Sequence, residues 1–298
     1  MSAQTNFSLS ASDYPPTGRI VNARGVPIHV HEEGAADAPV VILIHGASGN
    51  SRDYSFAMTG RLAPRYRVLA VDRPGHGHSG SLHGRGESPA EQAALLDAAV
   101  AAMGVERAIV VGHSYGGAVA MAWALGHPER VAGIVTLGGA TMPWEGGLGA
   151  WYGISSSGLG GATVVPLVAA LASQRSATRS VSRIFAPQAP PEGYLEHVGV
   201  GLAIRPAAIR STSKQVNSLK PHVTAMAERY SGLTIPIEIV HGARDETVPL
   251  ETHGRPMSKL IPGAVLTVLD GVGHMPHHAA PDVVDAAIDR VAKRAGLR

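Results

Sequence analysis

The chain has 298 residues, 45% hydrophobic and 16% charged, a balance that fits a large globular core and excludes a disordered polymer. Its 25 basic and 23 acidic residues leave a formal charge of +2 with no long basic run, which argues against a nucleic-acid partner. There is no cysteine, so disulfide frameworks, thiolate catalysis and zinc–thiolate sites are excluded; a reducing, cytoplasmic setting is expected.

Residues 1–17 are polar, run into Tyr14-Pro15-Pro16-Thr17, and lack the charged start and apolar stretch of a signal peptide; they read as a flexible arm. From residue 18 onward strand-like and helix-like segments alternate. Residues 27–32 and 39–45 are short runs bounded by Gly or Pro. Within the second, Val40-Val41-Ile42-Leu43-Ile44 is continuously apolar and rich in β-branched residues, as in a strand covered on both faces. Similar runs recur at 67–71, 108–111, 131–137, 235–240 and 265–269.

Helical stretches are expected at 89–103, 115–126 and 281–295. The first has Ser88 as N-cap, Pro89 at the first helical position and Glu91 in the first turn. This alternation predicts an α/β fold, a mostly parallel central sheet flanked by helices. It fails over 142–231, where Gly- and Pro-rich loops and short helical pieces replace strands. That stretch is expected to be an inserted helical cap, dividing the core into 18–141 and 232–298. Its uncharged part, 146–174, is too interrupted by Gly, Ser and Pro for a membrane span, so a lid or buried helix is expected.

The string Val110-Val111-Gly112-His113-Ser114-Tyr115-Gly116-Gly117 runs an apolar strand into Gly-x-Ser-x-Gly and then into a helix. Such a turn is tight enough to strain the serine backbone, and it lifts the hydroxyl of Ser114 above the sheet at a helix N-terminus. The two glycines are needed because a side chain at either would clash across the turn. The helix end favours the negative charge that develops in acyl transfer. The competing reading, an idle serine in a Gly-rich turn, is disfavoured by the strand before and the helix after.

A serine hydroxyl needs a base within reach and a third group to fix the base's tautomer. Behind a nucleophile elbow the partners follow in the order Ser, acid, His. Asp245 lies just past the run 235–240, and His274 lies in Gly271-Val272-Gly273-His274 after the last strand run. Both loops are at carboxyl ends of strands, where open α/β sheets bind ligands. Asp270 is a rival acid but precedes a Gly turn, and Glu246 is expected to point away from Asp245. His277 and His278 follow Pro276, and no carboxylate pattern around them supports zinc, so no metal is expected.

Two backbone donors are needed for the oxyanion of a tetrahedral intermediate. The N–H of Tyr115 is one. The second is expected from the loop His45-Gly46-Ala47-Ser48-Gly49-Asn50, at Ala47 N–H, with His45 bracing the loop. The Gly-rich string Asp72-Arg73-Pro74-Gly75-His76-Gly77 has neither the spacing nor the lysine of a phosphate loop and reads as a rigid turn near the site.

Together, His45-Gly46, Asp72-Arg73-Pro74-Gly75-His76-Gly77, Gly112-His113-Ser114-Tyr115-Gly116-Gly117, Gly242–Asp245 and Gly273-His274 resemble the α/β-hydrolase fold superfamily, and its capped, esterase-like bacterial serine hydrolases in particular. The likeness runs over about 18–295 and is weakest in the cap. It implies catalysis without a cofactor. Related dehalogenases and epoxide hydrolases carry Asp at the nucleophile position, so Ser114 speaks against both activities.

The cap is expected to roof an apolar pocket for a small-molecule substrate, with Trp144, Trp151, Tyr152, Leu159, Val164 and Val165 as lining residues; a small core of the cap's own is the equal alternative for them. Ester hydrolysis is the leading expectation. A C–C bond hydrolase acting on a diketone-like compound, and a binding or accessory protein that keeps the triad, are the alternatives. Oligomeric state is not legible.

Overall fold

A computed structural model describes residues 7–147 and 150–298. Eight strands form one sheet: β1 (Arg19–Ala23), β2 (Val26–Glu33), β3 (Val40–Ile44), β4 (Arg67–Val71), β5 (Ala108–His113), β6 (Val131–Leu137), β7 (Ile237–Gly242) and β8 (Val265–Leu269). They are ordered β1-β2-β4-β3-β5-β6-β7-β8. β2 pairs antiparallel with β1 and β4, and every other pairing is parallel. The expected mostly parallel sheet is what the chain builds.

Every residue of β3, β4, β5 and β6 is buried. Alternate residues of one strand feed two different cores, as the two-residue period of a strand dictates. Ile42, Ile44, Leu69 and Val110 join one core; Val41, Leu43, Val68 and Ile109 join the other. The flanking helices of the core are α1 (Arg52–Ser55), α2 (Met58–Leu62), α3 (Pro89–Ala102) and α4 (Tyr115–Gly126). The start of α3 is a capping box. Ser88 Oγ accepts from Glu91 N at 3.2 Å, and Glu91 Oε2 accepts from Ser88 N at 2.8 Å.

Between β6 and β7 the described residues hold helices and no strand: α5 (Ala150–Ser156), α6 (Gly158–Ala170), α7 (Gln174–Phe185), α8 (Tyr194–Val198), α9 (Val200–Ala203) and α10 (Pro206–Ala227). After β7 come α11 (Gly254–Leu260), α12 (Pro276–Ala279) and α13 (Pro281–Arg294). Leu219, Val223 and Met226 of α10 join the sheet's own core, so the insertion is rooted there rather than perched on top. The uncharged α6 is only partly buried: Val165 is buried, whereas Leu159 and Leu167 are 79% and 59% exposed. Among the described residues, no helix is long and apolar enough to cross a membrane.

The expected N-terminal arm lies partly outside the described residues. Its described part is docked rather than loose, because it carries apolar anchors. Phe7 packs with Phe185, Tyr194, Val198 and Met275, and Tyr14 is buried as well. The carbonyl of Tyr14 accepts from His78 Nε2 at 2.9 Å.

Candidate active site

β5 delivers Ser114 straight into α4. Ser114 has φ +53° and ψ −119°, in the left-handed half of conformational space that non-glycine residues avoid. The surroundings hold it there: Ser114 N donates to Leu137 O at 3.0 Å, and Ser114 O accepts from Gly117 N and Ala140 N at 2.9 and 3.0 Å. A Cβ at Gly112 would lie 2.2 Å from Gly116 O, and one at Gly116 would lie 2.2 Å from Ile44 O. The elbow closes only because both positions lack a side chain.

The loops that carry Asp245 and His274 are zipped to each other. Ala243 N donates to Leu269 O at 2.9 Å and Arg244 N to Val272 O at 2.8 Å. Across this seam His274 Nδ1 and Asp245 Oδ2 are 2.7 Å apart, both side chains buried. A carboxylate only accepts, so Nδ1 carries the proton and Nε2 is left as the basic atom. Asp245 Oδ1 is occupied by Thr247 N and Val248 N at 2.9 and 2.8 Å, which locks the carboxylate's orientation. The rivals Glu246 and Asp270 are both exposed.

The elbow meets this pair through His113. Its Nε2 donates to His274 O at 2.8 Å, and the two imidazoles lie 4.7 Å apart. Among the described residues the Ser114 hydroxyl has no hydrogen-bond partner; Ser–His contacts are often loose before substrate binds. On the other side of Ser114, a Cβ at Gly46 would sit 3.0 Å from Ser114 Cβ, so the loop 45–50 closes against the serine. Among the described residues neither Ala47 N–H nor Tyr115 N–H has a partner.

Over these residues the sequence matches a family model. The model is that of the "Alpha/beta hydrolase family", and it spans residues 41–287. The chain belongs to the alpha/beta hydrolase family. Among curated relatives, the 2-hydroxymuconate semialdehyde hydrolase of Pseudomonas sp. strain CF600 is 29% identical, over 87% of this chain and 88% of the relative. An uncharacterised protein of Mycobacterium tuberculosis strain H37Rv is 27% identical, over 89% of this chain and 82% of its own. Among solved structures, the esterase RhEst1 from Rhodococcus sp. ECU1013 superposes with a TM-score of 0.69 at 26% identity, covering 94% of this chain and 98% of that one.

In this alpha/beta hydrolase the expected cap residues have diverse surroundings. Trp144 packs against the main core, 6.1 Å from the His253 ring, with its indole N–H buried and unpaired among the described residues. Trp151 is 40% exposed, and Tyr152 is partly buried, which raises its phenol pKa.

Three features were not singled out from sequence as site residues. His113 is one; burial, with His274 and His277 beside it, pushes its pKa well down and keeps it neutral. Asp53 is another. Its Oδ1 accepts from His278 Nε2 and Tyr194 OH, both at 2.8 Å, and its Oδ2 from His277 Nε2 at 3.1 Å. Burial works to raise this acid, yet the two imidazoles hold it well below the usual range. Asp53, His277 and His278 are the group whose ligand-type atoms gather within 4.8 Å among the described residues, but protein donors already fill the carboxylate. The third is Arg73, fully buried and bonded to the loop 45–50.

Proposed function

We propose that this chain is a serine hydrolase that cleaves a carboxylic ester, or a similar acyl bond, of a small to medium apolar substrate. Ser114 is its nucleophile, His274 its base and Asp245 the acid that orients the base. The observation that carries this reading is the 2.7 Å His274–Asp245 bond, which His113 ties to the strained strand-to-helix turn that holds Ser114.

Ser114 Oγ attacks the substrate carbonyl while His274 Nε2 takes the hydroxyl proton. The Asp245 carboxylate, held by two backbone amides, stabilises the imidazolium. Ala47 N–H and Tyr115 N–H receive the oxyanion. Collapse expels the alcohol, which takes the proton from Nε2 and leaves an acyl-serine. Water, deprotonated by the same nitrogen, then releases the acid and restores Ser114. Every group in this cycle is a protein group or water.

The helices between β6 and β7, within 142–231, are the cap in this reading. Trp144, Trp151 and Tyr152 belong to the segment that selects substrate, and the anchoring of Phe7 and Tyr14 among its side chains supports a bracing role for residues 7–17. The enzyme acts on small molecules and works in the cytoplasm.

The test is Ser114→Ala against a panel of p-nitrophenyl esters. Turnover should fall by at least about a hundredfold, and a smaller loss overturns the role of the serine. A second reading, hydrolysis of a C–C bond, is favoured by the likeness to the 2-hydroxymuconate semialdehyde hydrolase. Turnover of such a compound with negligible ester turnover would replace the first reading. Failure of a fluorophosphonate to label Ser114 would point instead to a binding or accessory protein.

A further inference from the structure

Arg73 is buried completely, where an unpaired charge is costly. All five of its donors are placed. Nε donates to His45 O at 3.0 Å, and Nη1 to Oε1 of Gln92 at 2.9 Å and of Gln215 at 2.8 Å. Nη2 donates to Gly46 O at 3.0 Å, with His76 Nε2 at 3.4 Å. Among the described residues none of these partners is a carboxylate. The Glu87 carboxylate is one step removed: Gln215 Nε2 donates to Glu87 Oε2 at 2.9 Å. Burial lowers the Arg73 pKa to about 10, which still leaves it charged at neutral pH. A cation kept in a core without an acid on it calls for a purpose beyond charge balance.

Its contacts supply one. Gly46 C=O and Ala47 N–H are the two ends of one peptide, and in a trans peptide they point in opposite directions. Gly46 O is gripped by three donors: Arg73 Nη2 at 3.0 Å, His45 Nδ1 at 2.8 Å and Gly49 N at 3.3 Å. The tautomer of His45 follows from its other nitrogen. Nε2 accepts from Arg73 N at 3.0 Å, so Nδ1 bears the hydrogen. Fixing the carbonyl fixes the direction of Ala47 N–H. A cation on the carbonyl also polarises the amide and strengthens its N–H as a donor.

The same guanidinium lies 4.5 Å above the ring of Tyr115. Tyr115 OH accepts from Gln92 Nε2 at 3.2 Å, and Gln92 Oε1 in turn accepts from Arg73. One buried cation therefore touches the Tyr115 ring and the carbonyl of the peptide that carries the Ala47 N–H.

We propose that Arg73 is the positioning residue of the oxyanion hole, a buried cation that aims and polarises Ala47 N–H and seats Tyr115. This rests on the acyl-transfer reading given above. Arg73 itself touches no substrate atom; it acts through the Gly46–Ala47 peptide and the Tyr115 ring.

The test compares Arg73→Gln and Arg73→Lys with the parent enzyme on a matched pair of esters, one with C=O and one with C=S at the scissile carbon. Sulfur accepts N–H hydrogen bonds poorly, so the oxygen ester depends on the hole and the thiono ester much less. In Arg73→Gln the oxygen ester should lose roughly tenfold to a hundredfold in kcat, with little change in KM. The thiono ester should lose far less, so the ratio of the two rates collapses. Arg73→Lys, which keeps the charge but not the fork, should fall between.

The ratio is taken on one preparation and does not depend on how much of the protein is folded. If Arg73→Gln yields no folded protein, Arg73→Lys carries the comparison. Equal losses on both esters, or a rise in KM with kcat retained, would make Arg73 a structural residue and overturn the proposal. Fluorophosphonate labelling of Ser114 in the parent enzyme separates the two levels. No labelling sinks the hydrolase reading, whereas labelling with an unchanged ratio sinks only the role of Arg73.

Discussion

His113 Nε2 donates a hydrogen bond to the carbonyl oxygen of His274 at 2.8 Å. The residue before Ser114 thereby clamps the backbone of His274, and the clamp is neutral because burial and the neighbouring His274 and His277 disfavour its protonation. Replacing it with Phe keeps a ring in the space and removes the donor. His113→Phe should lower kcat by roughly tenfold to a hundredfold through misplacement of the base. The orphaned carbonyl should cost about 1–3 kcal/mol of stability. Steady-state kinetics and urea unfolding measure the two effects, and unaltered kcat would mean that the clamp does not set the position of His274.

Asp245→Asn should spare the fold, since a carbonyl oxygen there can still accept from Thr247 N and Val248 N. The amide nitrogen would face His274 Nδ1 and favour the wrong tautomer. Turnover should drop on the order of a thousandfold or more, with the melting temperature little moved. Near-normal turnover would show that another acid orients the base.

The elbow tolerates no added carbon. Gly112→Ala puts a methyl 2.2 Å from Gly116 O, and both partners are backbone with nowhere to go. The expected cost is about 3 kcal/mol or more, or failure to fold. Gly158→Ala is the control: nothing lies within 4 Å of the new methyl, and α6 begins there. It should be neutral or stabilising by up to about 1 kcal/mol. Denaturant midpoints that do not separate the two variants would contradict this packing account.

Acid should weaken the fold well above the usual carboxylate range. Burial, with Arg73 adding to it, lowers His45 to about 4, and burial with His241 nearby lowers His253 to about 4. Each ring binds its proton more weakly folded than unfolded. Stability is therefore whole above about pH 6.5, the ordinary histidine value, and drains as pH falls from there through 4. His45 alone accounts for about 3 kcal/mol over that window. Urea unfolding between pH 7.5 and 4.5 measures it, and a flat profile would refute the neutral buried imidazoles.

What could be read from the residues alone follows from where the determining contacts lie. β3 and β4 were visible because burial on both faces demands an unbroken apolar run, and the elbow because its glycines and serine are neighbours in the chain. β1 was missed. Only Ala23 of its five residues is buried, so an edge strand leaves little periodic trace. The short α1 and α2 escaped for want of a full apolar period, and with them Asp53. Arg73 was seen only as part of a rigid turn, because its partners come from residues 45–46, 76, 92, 115 and 215, which meet only after folding. Asp245 and His274 stand in separate loops of the sequence, and the bond between them spans β8. The anchoring of the N-terminal segment through Phe7 was hidden because one aromatic in a polar stretch carries no pattern.

Gln188 follows α7 and reaches down to the loop that carries His274. Its Nε2 donates to Gly271 O at 2.9 Å, and its Oε1 accepts from Gly273 N at 3.0 Å. A Cβ at Gly273 would lie 2.0 Å from Ala186 O, so the two backbones also touch. The helical insertion and the turn beside His274 are thus riveted together and cannot be swapped as separate modules. A chimaera that imports a foreign insertion must bring a side chain able to grip both ends of that turn, or the graft will slacken the imidazole it leans on.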